Sequence, residues 1–214
     1  MKQTASVLLL LSCMAYCGCD SSTSVAPSSS KIQAYFPLQV GNQWTSQRSW
    51  YDDSGNVDRL DTISNSVESA GIAYGKSGFY LSDPNGQIFA YYSGNDVIRI
   101  DPGGSRIFYK LRYPMSPSEE IVLIDSTVNG GHFRSAIRLI SDSVSVTVPA
   151  GTFNCIAYRT AYLYGEHGVL DTTSISNYYL GYGVGFVKDE TYFCWPFGKK
   201  DLMTKTELMS YVVK

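Results

Sequence analysis

The stretch Val144-Ser145-Val146-Thr147-Val148-Pro149-Ala150-Gly151-Thr152-Phe153 decides the fold class. Val144, Val146 and Val148 fall on one side of an extended chain, and Ser143, Ser145 and Thr147 on the other. Strict period-2 alternation is the signature of a strand with one buried face. Pro149 has no N–H for a ladder and Gly151 tolerates positive φ, so the strand ends there and the chain turns. A second strand, rich in aromatic and β-branched residues, then runs from Thr152 to Tyr164. The unit is a hairpin.

Working outward, the same reading recurs. Strands are expected at 44–51, 57–67, 72–81, 87–92, 97–100, 106–113, 121–125, 132–140, 172–180 and 183–188. Turn-formers such as Asp83-Pro84-Asn85-Gly86 and Ser93-Gly94-Asn95-Asp96 separate them. In the strand from Arg106 to Tyr113, Ile107, Tyr109, Leu111 and Tyr113 alternate with Arg106, Phe108, Lys110 and Arg112. The last segment, Leu202 to Val213, is read as a strand because Thr204, Thr206, Tyr211, Val212 and Val213 favour extended backbone. With 17 Tyr, 9 Phe, 19 Gly and 8 Pro in 214 residues, the composition suits many strands joined by tight turns. The expected fold class is all-β: an antiparallel meander forming a curved sheet, half-barrel or barrel. A formal net charge of -2 gives no pull toward nucleic acid.

The N-terminus speaks to location. Lys2 supplies a positive charge ahead of a short apolar run, Ala5 to Leu11, that is far below the ~20 residues a spanning helix needs. Cys13, Cys17 and Cys19 lie where cleavage of a leader is expected. The segment resembles a bacterial lipoprotein signal, in which a small residue precedes the cysteine that is lipidated. Cys19 follows Gly18 and precedes a Ser/Thr-rich stretch, which suits cleavage before it. Cys13, with Leu10 three residues earlier, is the alternative, and Cys17 fits least well. The organisation read from the sequence is a signal over 1–18, a flexible lipidated tether over 19–34 and one β-rich domain over 35–214. Several acyl chains (palmitate among them) would hold such a protein on a membrane. The expected location is the bacterial cell envelope, with the outer membrane favoured over the inner.

Three stretches, with the leader, carry a wider resemblance: Phe36-Pro37-Leu38-Gln39-Val40-Gly41-Asn42-Gln43-Trp44, Val148-Pro149-Ala150-Gly151-Thr152-Phe153 and Tyr178 to Lys188. Together they resemble uncharacterised exported bacterial lipoproteins with a β-rich domain. The resemblance implies architecture and location, and it carries no catalytic residues.

Few residues suggest chemistry. Gly181, Gly183 and Gly185 leave one strand face bare, either for close approach of a ligand or through a bend or beneath a neighbouring aromatic. Cys155 and Cys194 are the cysteines outside the leader; in an oxidising compartment they form either a disulfide or two free thiols. Arg99, Arg106, Lys110 and Arg112, with Arg134 and Arg138 nearby, could line one sheet face as a basic stripe for anionic lipid or polysaccharide. The bland alternative is an ordinary solvated face. His132 and His167 sit in unlike settings, and no His/Cys/Asp/Glu spacing suits a metal. Without a nucleophile–base signature, no enzyme, catalytic residue, metal or cofactor is expected. The readings that remain are a carrier holding an apolar or envelope-derived ligand, and a structural or protein-interaction lipoprotein with a filled core.

Overall fold

The computed structural model describes residues 30–84, 86–100, 107–128, 130–166 and 169–214, except the side chains of Phe108, Val128 and Phe197. The leader, Cys13, Cys17, Cys19, Arg106 and His167 lie outside the described residues. A short helix, α1 (Lys31–Tyr35), precedes twelve strands. These are β1 (Gln43–Tyr51), β2 (Val57–Ala73), β3 (Lys76–Asp83), β4 (Gly86–Ser93), β5 (Asp96–Ile100) and β6 (Ile107–Arg112). Then follow β7 (Ile121–Val128), β8 (Gly131–Val148), β9 (Gly151–Glu166), β10 (Asp171–Gly181), β11 (Gly185–Cys194) and β12 (Lys200–Val212).

All twelve form one antiparallel sheet in the order β6-β5-β4-β3-β2-β1-β12-β11-β10-β9-β8-β7. The sheet is a meander opened at its middle: β1 pairs with β12, and the two edges are β6 and β7. The curl brings these edges together into a nearly closed barrel, as the alternation predicts. Across the seam, the Tyr158 hydroxyl of β9 donates to the Arg112 carbonyl at 2.6 Å. Arg112 also grips Glu119 of the β6–β7 connection, and Glu120 takes Arg134 and Arg138 of β8.

Three local readings need correction. Residues 31–34, expected within the flexible tether, belong to α1, with Ile32 fully buried, because Ile32, Phe36 and Leu38 together plug one barrel end. The expected strand 72–81 contains the β2–β3 turn at Tyr74 and Gly75, and β2 runs on to Ala73. The stretch expected to break at Ser141-Asp142-Ser143 stays extended within β8. The polar residues are absorbed as register irregularities at Leu139/Ser141 and Ser141/Val144. The β8–β9 turn is as read, with Gly151 at φ +136°. Beyond it, the end of that hairpin packs on β12, where the Ala150 N–H donates to the Leu208 carbonyl.

Candidate functional site

Pairing registers fix which side chains face the barrel interior, and those side chains change character along the strands. On β1 the interior positions read Trp44, Ser46, Arg48; on β2, running the other way, Val67, Asn65, Ile63. On β5 Val97 gives way to Arg99, on β6 Leu111 to Tyr109, and on β10 Leu180 to Tyr178. On β11 Phe186 gives way to Asp189. Near α1 these positions hold the main core, with Val67, Val97, Leu111, Ile137, Ile156, Tyr158 and Leu180 at 0–1% exposure. Farther from α1 the interior mixes charged and hydroxyl groups with apolar side chains such as Ile63, Ile88 and Ile100.

The polar half encloses a cavity of about 450 Å³ lined by Arg48, Asn65, Asp83, Arg99, Tyr109, Tyr178, Phe186 and Asp189 among others. A smaller space of about 70 Å³ shares Asn65, Asp83, Arg99 and Phe186 with it and reaches Trp44 and Phe36. Tyr109 meets Tyr178 edge-on at 5.4 Å between ring centres, and Phe186 at 6.0 Å, which builds an aromatic wall. Arg99 lies 3.6 Å from Asp83. Burial pulls the Arg99 guanidinium pKa down, and the neighbouring Asp83 carboxylate opposes that shift. Arg48 donates through Nε to Thr206 Oγ1 at 3.3 Å and lies over Trp50 at 5.8 Å.

Asp189 has the most telling electrostatics. Its removal from water pushes its pKa up to about 6, although the Arg48 charge works the other way. The Tyr109 hydroxyl is buried without a hydrogen-bond partner among the described residues. The site therefore offers cationic donors, carboxylate acceptors and a spare hydroxyl beside aromatic faces.

The structure breaks up the expected basic stripe. Arg99 faces the interior, as its pairing with Tyr109 requires, whereas Lys110 and Arg112 alternate with Tyr109 and Leu111 and face outward. The outward pair is neutralised: Lys110 meets Asp96 at 3.0 Å, and Arg112 meets Asp96 at 2.7 Å and Glu119 at 2.5 Å. Arg134 and Arg138 are likewise held by Glu120 at 2.5 and 3.0 Å. Lys110, Arg112, Arg134 and Arg138 thus each have an acidic partner.

The disulfide reading is also corrected. Cys155 and Cys194 are free thiols. Cys155 is level with Gly181 and Gly185 at the start of β11, and Cys194 ends that strand. Nine residues of strand separate those levels by about 30 Å, beyond the reach of any disulfide. Burial pushes the Cys155 thiol up to about 11, so it stays protonated and inert.

The bare glycine face is covered at Gly181 and Gly185, whereas Gly183 stands open in the β10–β11 turn. The Trp44 ring lies over Gly185, with Nε1 3.2 Å from where a Cβ would stand, and its N–H donates to the Val184 carbonyl. His132 sits in the open beside Asp125 at 2.6 Å. Among the described residues no group of three His, Cys, Asp or Glu could hold a metal ion.

No family model and no curated protein matches the chain. Solved structures do. The fold is similar to that of a candidate lipoprotein from Parabacteroides distasonis ATCC 8503, with a TM-score of 0.50 and 20% identity over 83% of this chain and 98% of that one. A candidate exported protein with a YmcC-like fold from Bacteroides fragilis NCTC 9343 follows, at a TM-score of 0.48 and 16% identity over the same shares. The first likeness establishes a shared fold.

Proposed function

We propose that the chain is an exported lipoprotein of the bacterial cell envelope, anchored through Cys19, whose barrel is a non-enzymatic binding module for a small amphiphilic ligand. The location rests on the lipoprotein-like leader, together with a fold shared with a candidate lipoprotein. The binding role rests on one observation: a cavity of about 450 Å³ lined by inward-facing Arg48, Arg99, Asp83 and Asp189 beside aromatic rings. Charged side chains turned into a cavity carry a desolvation cost that the polar groups of a bound ligand would offset. Ligand pockets usually occupy a few hundred cubic ångströms, and this one falls in that range.

The lining refines the ligand class. A purely apolar molecule would strand the charges, and a simple anion or cation would meet a like charge across the cavity. A ligand with an apolar face and groups that both donate and accept hydrogen bonds matches every wall. The competing reading, a structural lipoprotein with no small-molecule ligand, draws support from the filled half of the barrel.

Native mass spectrometry of the full mature protein, purified from an envelope extract, tests both parts. The expected spectrum shows acyl mass on Cys19 and an additional non-covalent mass. That second mass is expected to disappear in Arg48→Met. A bare polypeptide with acyl chains intact would overturn the binding role, and an unacylated Cys19 would overturn the anchor.

A further inference from the structure

The meander sorts every loop to one of two barrel ends. β1 begins where β12 ends, β10 ends and β11 begins, and β2 runs on past it in the same direction to the β2–β3 turn. At that end lie α1, the Gln39–Gly41 turn, the β2–β3, β4–β5, β8–β9 and β10–β11 turns, the β6–β7 connection with Glu119 and Glu120 paired to Arg112, Arg134 and Arg138, and the chain terminus at Lys214. These pieces are tied together: the Gly183 N–H donates to the Ala34 carbonyl, Tyr35 meets Tyr182 at 5.6 Å, and the Lys214 N–H donates to Asn42 Oδ1. Residues 1–29 join the described chain at Ser30, the N-cap of α1, so the tether leaves from this end.

The same end displays apolar side chains that the fold leaves uncovered: Ile72 is 73% exposed, Tyr182 70%, Val212 55%, Tyr74 52%, Val40 42% and Tyr211 41%. Exposed Lys31, Lys76 and Lys214 stand among them. Uncovered apolar residues also occur at the opposite end, Trp195, Val169 and Val57 included, with exposed Lys199 and Lys200 and with Asp52 and Asp53 of the β1–β2 loop; what distinguishes the α1 end is that the N-terminal segment joins the barrel there. Tyrosines and aliphatic side chains interspersed with lysines are the composition that settles at the headgroup level of an anionic bilayer.

We propose that this end of the barrel is a membrane-docking face. Tyr74, Tyr182 and Tyr211 seat at the lipid interface beside Ile72, Val40 and Val212, and Lys31, Lys76 and Lys214 lie against anionic headgroups. The protein then stands end-on, with the polar half of the barrel and its cavity turned away from the bilayer. This orientation rests on the lipid-anchor reading, which supplies the local concentration that makes a weak face productive.

Hydrogen exchange on the full acylated protein separates the two. The protein is reconstituted into vesicles of phosphatidylethanolamine and phosphatidylglycerol, floated to confirm attachment, and compared with a Cys19→Ala protein free in solution. Docking predicts a loss of deuterium uptake confined to peptides covering 38–42, 72–76, 181–184 and 209–213, which Ile72→Asp with Tyr182→Asp abolishes without detaching the protein. Uptake unchanged at these turns while the protein still floats overturns the docking face and leaves the anchor intact. Loss of uptake at 52–56 and 195–199 instead would overturn it by reversing the orientation. A wild-type protein that does not float at all would reject the anchor, and the docking face with it.

Discussion

The two halves of the barrel are made from the same strands and differ in what those strands point inward. Near α1 the inward positions are Val67, Val97, Leu111 and Leu180, and they close on one another and on Ile32 with almost no exposure. A few residues along the same strands, the positions become Asn65, Arg99, Tyr109, Tyr178 and Asp189, and a cavity opens. The backbone ladder continues through both halves, so the sheet does not set the difference. Side-chain chemistry does: aliphatic groups gain by packing, whereas buried charges keep space and partners around themselves. One half holds the fold, and the other is free to be a site.

That division can be broken experimentally. The largest effect belongs to the filled half. Leu111→Ala should cost about 2–5 kcal/mol in urea unfolding, because Leu111 is 0% exposed and its neighbours cannot collapse into the gap. A loss below about 1 kcal/mol would mean this half is not the stability core.

Asp189→Asn is expected to act in the opposite sense. The Asp189 pKa stands at about 6 in the fold against 3.8 as its ordinary value, so the folded protein binds the proton more tightly than the unfolded chain. The wild type is therefore favoured by this group below about pH 4 and loses that contribution as pH rises through about 6. The asparagine variant should be more stable than wild type at pH 7.5, by on the order of 2 to 3 kcal/mol, with the gap narrowing toward pH 4. Unfolding curves across pH 4–8 that stay parallel for the two proteins would reject a strained, buried carboxylate.

The smallest change probes the seam that lets one sheet enclose both halves. Tyr158→Phe removes the hydroxyl that bonds to the Arg112 carbonyl, leaving the ring in place, and should cost about 1 kcal/mol. An unchanged denaturation midpoint would show that the β6–β7 closure does not depend on this contact.

How much of this was legible in the sequence follows from the same physics. Alternation at Val144–Val148 and Ile107–Leu111 revealed strands and hairpins, because apolar-in and polar-out is the majority rule. The rule fails where the interior is polar. Arg99 read as an outward cation alongside Lys110 and Arg112, when its parity with Val97 puts it inside. Asp189, Arg48 and Asn65 gave no signal for the same reason, since a charged residue in an alternating strand is indistinguishable from a solvated one until its partner strand is known. A weak sign was present: Val97 and Arg99 share parity on a short strand whose alternate positions, Ile98 and Ile100, are apolar. Strand limits at Tyr74 and across Ser141–Ser143 failed because pairing with β3 and β9 overrides local composition. The separation of Cys155 from Cys194 is a matter of register, which spacing in sequence does not encode.

The most direct test of a dedicated polar half is an electron-density map of the protein purified from its own envelope and crystallised without added ligand. The account predicts continuous density, larger than water, bounded by Arg48, Arg99, Tyr109 and Asp189. A cavity holding only separate waters, or one erased by Arg48 and Arg99 folding onto Asp189 and Asp83, would contradict it.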